Sequence, residues 1–309
     1  MKNTYNYKAK CTLCPHNCNV DRHFFSTGFC TTDVQLHISS ICKHEGEEPP
    51  ISGEKGICNV FFSHCNLQCI YCQNHQISQN SLSSPILSLE EATSTICAFL
   101  ETGIRSLGFV SPSHQIPQML RIISAVRERG YNPVIVYNTN SYDKVETLRD
   151  MAPWVDIYLA DMKYADEKMG RQLSGVKGYP HIAMKALQEM VRQKGTTLQL
   201  DEQGIAVSGV IIRHLVLPGY VENSIGVLNE MATQVNTKIT VSLMAQYYPA
   251  FKARKRPPLN RRLYTFEYQK VVDHLDQLGF ENGWIQALES SDNYQPDFEK
   301  GDPFNNSGE

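Results

Sequence analysis

The 309-residue chain lacks any stretch approaching the roughly 20 consecutive apolar residues that a membrane-spanning helix requires. Its opening residues, MKNTYNYKAKCTLC, contain no apolar run of the kind that signal peptides carry. We therefore predict a cytoplasmic protein with no membrane partner.

The chain also has little net charge, −3 at neutral pH, and no long stripe of Lys and Arg. This argues against a nucleic-acid partner. The nearest candidate is the basic run KARKRPP, residues 252–258, which is followed by Arg261 and Arg262. Such a run is more often a solvated loop than an anion or partner site.

Cysteine, by contrast, is abundant, and seven of the ten cysteines fall into two clusters. Thiols stay reduced in the cytoplasm, so clustered cysteines indicate metal ligands rather than a disulfide framework. The first cluster has four cysteines and the second has three: Cys11, Cys14, Cys18 and Cys30, then Cys65, Cys69 and Cys72.

Buried strand patterns alternate with amphipathic helices between about residues 57 and 288. Six strands are expected, at 57–63, 104–110, 133–138, 155–161, 209–217 and 238–244, with a small hairpin at 196–207. Ser88 and Glu91 form a capping box that predicts the start of the first long helix. The alternation predicts an α/β fold with a parallel sheet, as a partial barrel or an open doubly wound sheet.

Polar or charged residues follow all six predicted strands. Because sites in such folds lie at the carboxyl edge of the parallel strands, these residues are expected to share one site. They are the three-cysteine cluster, SPSH (111–114), NTN (138–140), DMK (161–163), RHLVLPG (213–219) and MAQYYP (244–249).

The three-cysteine cluster has the spacing Cys-x3-Cys-x2-Cys, one ligand short of the four that close a structural zinc site. A 4Fe–4S cluster can instead be held by three thiolates, which leaves one iron open to an exogenous ligand. An incomplete ligand set therefore indicates a cofactor site rather than a structural metal.

The stretch CNLQCIYC, with Tyr71 just before the third cysteine, resembles the cluster motif of the radical SAM superfamily. Residues 42–290 resemble the activating enzymes of pyruvate formate-lyase and other glycyl-radical enzymes. The matching stretches are HEGEEPPISGEKG, VYNTNSY, VDIYLADMKY, IIRHLVLPG and VSLMAQYYP.

That resemblance implies a (β/α)6 partial TIM barrel at residues 57–288, between a cysteine-rich module (1–56) and a tail (289–309). It implies a 4Fe–4S cluster on Cys65, Cys69 and Cys72, with S-adenosylmethionine (SAM) at the open iron. An electron from a flavodoxin- or ferredoxin-type donor would cleave SAM to a 5′-deoxyadenosyl radical. The radical would then take hydrogen from a glycine of a partner polypeptide.

The resemblance also implies roles for residues at the other strand ends. Asp161, Lys163 and Thr139 match positions around the methionine end of SAM, and Asn138 replaces an Asp that helps to hold a monovalent cation. A Gly-Gly-Glu element of the family is missing. Arg213 matches an arginine of the activases on the fifth strand. Positions matched less directly complete the cofactor set: Ser111 and Ser113 in the slot of the missing element, and Gln246 at the place of a His.

Three points stay open. The four-cysteine site, which starts as Cys-x2-Cys and has Gly28 before Cys30, resembles a zinc knuckle, and we favour structural zinc over a second iron–sulfur cluster. Glu47 and Glu48 could face the substrate or lie in a solvated loop. A small molecule or a nucleic-acid base could replace the polypeptide as substrate, and a non-catalytic zinc scaffold is the alternative of another class.

Overall fold

The computed structural model describes residues 10–24, 28–292 and 295–304. Ten strands in this part of the chain form one sheet: β1 (Leu36–His44), β2 (Ile57–Phe62), β3 (Ile86–Leu87), β4 (Ser106–Val110), β5 (Val134–Thr139), β6 (Ile157–Asp161), β7 (Gln199–Leu200), β8 (Ala206–Leu215), β9 (Thr240–Met244) and β10 (Gly283–Ile285). The α-helices are α1 (Pro49–Ser52), α2 (His75–Ser78), α3 (Leu89–Glu101), α4 (Ile116–Glu128), α5 (Val145–Met151), α6 (Glu167–Ser174), α7 (Tyr179–Lys194), α8 (Val221–Gln234) and α9 (Thr265–Gln277).

The sheet is mostly parallel, with the strand order β10-β9-β8-β6-β5-β4-β2-β1-β3 and with β7 paired to β8. Every neighbouring pair from β2 to β10 along this path is parallel, whereas β1 is antiparallel to both β2 and β3. The six strands predicted from the sequence are β2, β4, β5, β6, β8 and β9, and helices connect them. The predicted α/β fold with a parallel sheet is therefore confirmed.

Two features differ from the sequence-based expectations. The predicted hairpin at 196–207 is not separate from the fifth parallel strand, because β8 runs without a break from Ala206 to Leu215 and pairs with β7 at its start. Residues 36–44 form β1, which continues the main sheet beyond β2. The strand mixes polar and apolar residues and has no long apolar run, so it gave no clear signal.

Alternation along the strands gives the inner face of the sheet two regions. Near the start of the parallel strands this face is closed by apolar side chains, which pack together at 0–1% exposure: Ile57, Val136, Ile157, Leu159 and Ile211. Two residues further along β5, β6 and β8, the same face carries Asn138, Asp161 and Arg213. An apolar floor therefore lies beneath polar side chains at the carboxyl edge.

Helix α3 begins as predicted. The Ser88 side chain accepts a hydrogen bond from the backbone N–H of Glu91, and the Glu91 side chain accepts one from the backbone of Ser88. Such a cap satisfies two backbone donors that would otherwise have no partner. In the described ranges, no helix is long and apolar enough to cross a membrane.

Candidate functional site

A cavity of about 1200 Å³ includes the carboxyl edge of the parallel strands and extends to residues before the strands, among them Arg105 and Ile205. The cysteines Cys65, Cys69 and Cys72 line it from the loop after β2, residues 64–74, which we call the cluster loop. Seven of the nine residues predicted to bind the cofactor line it too: Tyr71, Ser111, Asn138, Asp161, Lys163, Arg213 and Gln246. The structure thus brings together ten of the twelve residues predicted for this site.

The two remaining residues, Ser113 and Thr139, do not line the cavity. Thr139 follows Asn138 on a strand, so its side chain points to the opposite face of the sheet. There it donates a hydrogen bond to Asp143 at 2.5 Å and lies 3.5 Å from the Ser113 hydroxyl. Both residues belong to a buried polar cluster behind the cavity wall.

Donors point at two of the three sulfurs of the cluster loop. The backbone N–H of Leu67 donates to Sγ of Cys65 at 3.4 Å, and the Ser78 hydroxyl donates to Sγ of Cys72 at 3.2 Å. The Ser174 hydroxyl lies 3.0 Å from Sγ of Cys69. Sulfur atoms that accept hydrogen bonds suit thiolate ligands of a metal cluster.

Burial raises the pKa of the Cys65 thiol to about 12 and that of Cys69 to about 11. The positive charge of Lys163 partly opposes the rise in pKa at all three thiols of the cluster loop, but burial outweighs it. Without a metal, these thiols therefore hold their protons, and iron must displace them. The same observation places the Lys163 ammonium within electrostatic reach of the three sulfurs.

Arg213 is the centre of a charged network in the cavity wall. Its Nε donates to Oδ1 of Asp161 at 3.1 Å, its Nη1 to Oε2 of Glu47 at 3.0 Å, and its Nη2 to Oδ1 of Asn138 at 2.8 Å. Lys163 Nζ donates to the other Asp161 oxygen, Oδ2, at 2.6 Å. The guanidinium thus occupies the position between Asn138 and Asp161, the two side chains expected to hold a monovalent cation.

The network fixes the charge of its members. Burial would raise the pKa of Asp161, but the charges of Lys163 and Arg213 outweigh it and lower that pKa below its ordinary value. Burial alone would lower the pKa of Lys163, yet Asp161 holds it above the ordinary value. Asp161 is therefore an anion and Lys163 a cation at neutral pH.

Glu47 and Glu48 both line the cavity, which decides between the two placements left open by the sequence. Glu47 accepts from Arg213 and, at 3.0 Å, from the Asn59 amide on β2. Gly108 makes room for that amide, since a Cβ there would lie 2.0 Å from Asn59 Oδ1. Burial raises the pKa of Glu48, although the charge of Arg213 lowers it in part.

A second network links the cavity to α6. The Tyr71 hydroxyl lies 2.6 Å from the Tyr164 hydroxyl, which lies 2.7 Å from Ser174 Oγ, the atom next to Cys69 Sγ. Ser174 was not predicted from the sequence, because it lies 105 residues from Cys69 and belongs to no motif. Tyr164 directly follows the DMK stretch, so its position at a strand end was the available signal.

The four N-terminal cysteines lie outside the cavity but near one another. Burial raises the pKa of Cys14, and electrostatic interaction with Cys30, Cys11 and Cys18 raises it further. Backbone and side-chain donors reach two of the sulfurs: Phe29 N donates to Cys18 Sγ at 3.3 Å and Arg22 Nη2 to Cys30 Sγ at 3.0 Å.

This four-cysteine site contacts the cluster loop. His16 Nε2 donates to the backbone carbonyl of Asn66 at 2.8 Å. The Asn80 side chain bridges the two regions, because its Nδ2 donates to Phe29 O at 2.6 Å and its Oδ1 accepts from Cys65 N at 3.1 Å. Direct hydrogen bonds therefore connect the region of the four N-terminal cysteines to the cluster loop.

Across the described ranges, no group of three or more His, Cys, Asp or Glu side chains is arranged to hold a single metal ion. A structural zinc needs its ligands to converge on one point. In an iron–sulfur cluster each cysteine binds a different iron, so the sulfurs need not converge.

Comparison with known proteins points to the same chemistry. Residues 51–179, which include the cluster loop, match a family model described as a 4Fe-4S single cluster domain. An uncharacterised protein of Methanocaldococcus jannaschii is 29% identical to this chain over 273 residues, which cover 87% of this chain and 75% of that protein.

Among solved structures, the chain aligns with HydG, described as a maturase of the FeFe-hydrogenase, at a TM-score of 0.52 and 13% identity. The alignment covers 79% of this chain and 55% of HydG, so the chain spans a little over half of that protein's length. Methylornithine synthase PylB aligns at a TM-score of 0.48 and 15% identity, over 71% of this chain and 62% of PylB. The HydG alignment shows a shared fold.

The cluster-domain match and the three cysteines of the cluster loop support a 4Fe–4S cluster at Cys65, Cys69 and Cys72, and the fold is one that HydG shares.

Proposed function

We propose that this chain is a radical SAM enzyme that takes hydrogen from a partner polypeptide, as the activases of glycyl-radical enzymes do. The observation that carries the proposal is that Cys65, Cys69 and Cys72 line the same cavity as Asp161 and Lys163. When bound there, a 4Fe–4S cluster with SAM would supply a 5′-deoxyadenosyl radical for hydrogen abstraction.

The residues of the cavity have separate tasks in this proposal. Lys163, a cation beside the three sulfurs, binds the carboxylate of SAM. Asp161 holds the Lys163 ammonium in place at 2.6 Å. The apolar lining, which includes Leu67, Leu215 and Met244, excludes water from the reacting atoms.

In this account the Arg213 guanidinium takes the place of a monovalent cation. It already donates to Asn138 and Asp161, at 2.8 and 3.1 Å, and it carries the single positive charge that the cation would bring. The amide of Asn138 offers its oxygen without a second negative charge. The guanidinium therefore pairs with the carboxylate of Asp161, and Glu47 supplies the second carboxylate that it contacts.

The size of the cavity supports a large substrate. Pockets that enclose one small ligand measure about 300–1000 Å³. The cavity here measures about 1200 Å³ and extends from the cluster cysteines to Arg105 and Ile205, so a bound cluster with SAM would occupy one part of it and a segment of a second molecule another. The motif resemblance to glycyl-radical activases makes a polypeptide segment the proposed occupant.

For the four N-terminal cysteines we propose a second iron–sulfur cluster in place of zinc. The support is that the other three thiols, Cys11, Cys18 and Cys30, all lie within electrostatic reach of Cys14. Their contacts with the cluster loop, through His16 and Asn80, suit a cluster that passes electrons to the first one.

The central test is SAM cleavage by the anaerobically reconstituted protein. After reduction with dithionite, mass spectrometry should detect 5′-deoxyadenosine from the wild type and none from Cys69→Ala. The matched control is Cys97→Ala, which removes a buried thiol from α3 and should keep both cluster and product. An intact cluster that yields no product would overturn the radical proposal and favour a non-catalytic scaffold.

The second metal is tested in a variant that lacks the cluster-loop thiols, with Cys65, Cys69 and Cys72 all changed to Ala. Its remaining metal is that of the N-terminal site. Elemental analysis should find about four iron atoms per chain and no zinc. One zinc per chain and no iron would contradict this part of the proposal.

A further inference from the structure

One group of charges has no part in the account so far. Between Glu230 and Glu267 the sequence contains no Asp or Glu, but it contains six Arg and Lys residues within the segment 251–262. We call residues 251–262 the basic segment. Its charged members are Lys252, Arg254, Lys255, Arg256, Arg261 and Arg262.

The basic segment lies directly against the cluster loop. Its Ala253 N–H donates to the backbone carbonyl of Ile70 at 3.0 Å, and Ile70 follows Cys69 in the chain. The Phe251 ring stacks on His75 with 5.4 Å between ring centroids. The segment therefore contacts the loop that carries Cys69 and Cys72, and none of residues 251–262 lines the cavity.

The positive charges of the segment face solvent. Lys252, Arg254 and Lys255 are exposed, whereas Ala253 between them is buried. None of these three cations has an ion-pair partner in the described ranges, while Arg261 is paired with Glu267 at 2.7 Å. Three exposed positive charges without an ion-pair partner in the described ranges therefore lie on the segment that contacts the cluster loop, in a chain whose net charge is −3.

We propose that this surface docks an acidic electron-carrier protein that reduces the cluster, an inference that rests on the proposed function. Clustered charge of one sign steers a partner of opposite charge and raises its association rate. One electron passes from the carrier, a low-potential flavin or iron–sulfur protein, to the cluster. The carrier is thereby oxidised by one electron, and the cluster is reduced by one electron. No group or bond is transferred.

Placement favours such a carrier over other anionic partners. An electron donor must approach the cluster closely, and this segment is bonded to the residue between two cluster cysteines. The cavity side of the same cysteines is needed for SAM and substrate. A surface outside the cavity, such as the basic segment, leaves both ligands in place.

The test compares two charge-reversal pairs in the reconstituted holoenzyme. Lys252→Glu/Lys255→Glu changes the proposed surface. The control Lys185→Glu/Lys238→Glu makes the same charge change at exposed positions on α7 and before β9, away from the cluster loop. Stopped-flow absorbance follows cluster reduction by a reduced flavodoxin of net negative charge, at a series of ionic strengths.

For wild type and control, the reduction rate should fall as salt rises, because salt screens the steering. For Lys252→Glu/Lys255→Glu, the rate at low salt should be about 10-fold lower and nearly independent of salt. Dithionite, a small reductant that needs no docking surface, should give the same yield of 5′-deoxyadenosine in all three proteins.

Equal rates in the two variants would overturn the docking surface. So would a variant that loses binding of a single-stranded RNA but keeps the wild-type reduction rate, because the segment would then be a nucleic-acid site. If dithionite gave no 5′-deoxyadenosine in the wild type, the proposed function would fail. The reduction rates would still test the docking surface, since they measure the cluster alone.

Discussion

Replacing Arg213 by Gln tests the charged network most severely. The Arg213 side chain is 15% exposed, and it bridges Asp161 and Glu47, whose side chains are 17% and 8% exposed. Removing one partner of such a buried pair costs about 3–5 kcal/mol, because the other charge stays buried without compensation. Since Lys163 still pairs with Asp161, we expect the lower end, about 3 kcal/mol.

The assay is urea denaturation of the metal-free protein, followed by circular dichroism under anaerobic reducing conditions. The matched control is Arg105→Gln, which removes another arginine of the cavity rim. Arg105 is 46% exposed and pairs with Asp201 at 2.6 Å. Such an exposed pair contributes only about 0–1 kcal/mol.

The comparison between the two variants decides the matter. Arg213→Gln should lower the free energy of unfolding by about 2 kcal/mol more than Arg105→Gln does. Equal effects of the two substitutions would refute this prediction, because the Arg213 network would then contribute no more to the free energy of unfolding than an exposed ion pair does.

Three further predictions follow from the same wall of the cavity. Gly108→Ala should lower the free energy of unfolding by about 1–3 kcal/mol, because the new Cβ would lie 2.0 Å from Asn59 Oδ1; an unchanged urea midpoint would contradict the close approach. Asp161→Asn should destabilise the protein fully at pH 7 and progressively less below the ordinary carboxyl pKa of 3.8. The reason is that the folded-state pKa of Asp161 is lowered, so the contribution of its charge is lost as pH falls through the folded-state pKa. Unfolding curves of the wild type and the variant at several pH values would check this, and a difference that stays constant with pH would refute it. Because Arg213 already bonds both Asn138 and Asp161, SAM cleavage should proceed equally in sodium, potassium and tetramethylammonium buffers, and a several-fold requirement for one of the metal ions would argue against the substitution.

Local signals in the sequence predicted the framework of the fold well. The apolar runs of β2, β5 and β6 are long, buried and bounded by polar residues, so they identify parallel strands directly. The capping box at Ser88 and Glu91 fixes the start of α3 to the residue. The short strands β3 and β10, of two and three residues, are too brief to give a periodic signal.

The polar residues at strand ends were predictable because period-two alternation and parallel topology bring them to one edge. Asn138, Asp161 and Arg213 meet for this reason. Partners that depend on tertiary contact were not predictable. The contacts of Ser174 with Cys69 and of Glu47 with Arg213 join positions 105 and 166 residues apart, and no local pattern encodes either distance.

The basic segment shows the same division between local and tertiary information. Its composition is visible in the sequence, and on composition alone it resembles a solvated loop. Only the fold places Ala253 against Ile70, which gives three exposed cations a position beside the cluster loop.

The central claim is that Cys65, Cys69 and Cys72 hold a cluster with one iron open to SAM. Electron paramagnetic resonance of the reduced protein, with and without SAM, measures this most directly when the four N-terminal cysteines are changed to Ser, so that one cluster remains. We expect a clear change in the g values on addition of SAM, and the loss of the whole signal in Cys69→Ala. A cluster whose spectrum is the same with and without SAM would contradict the claim.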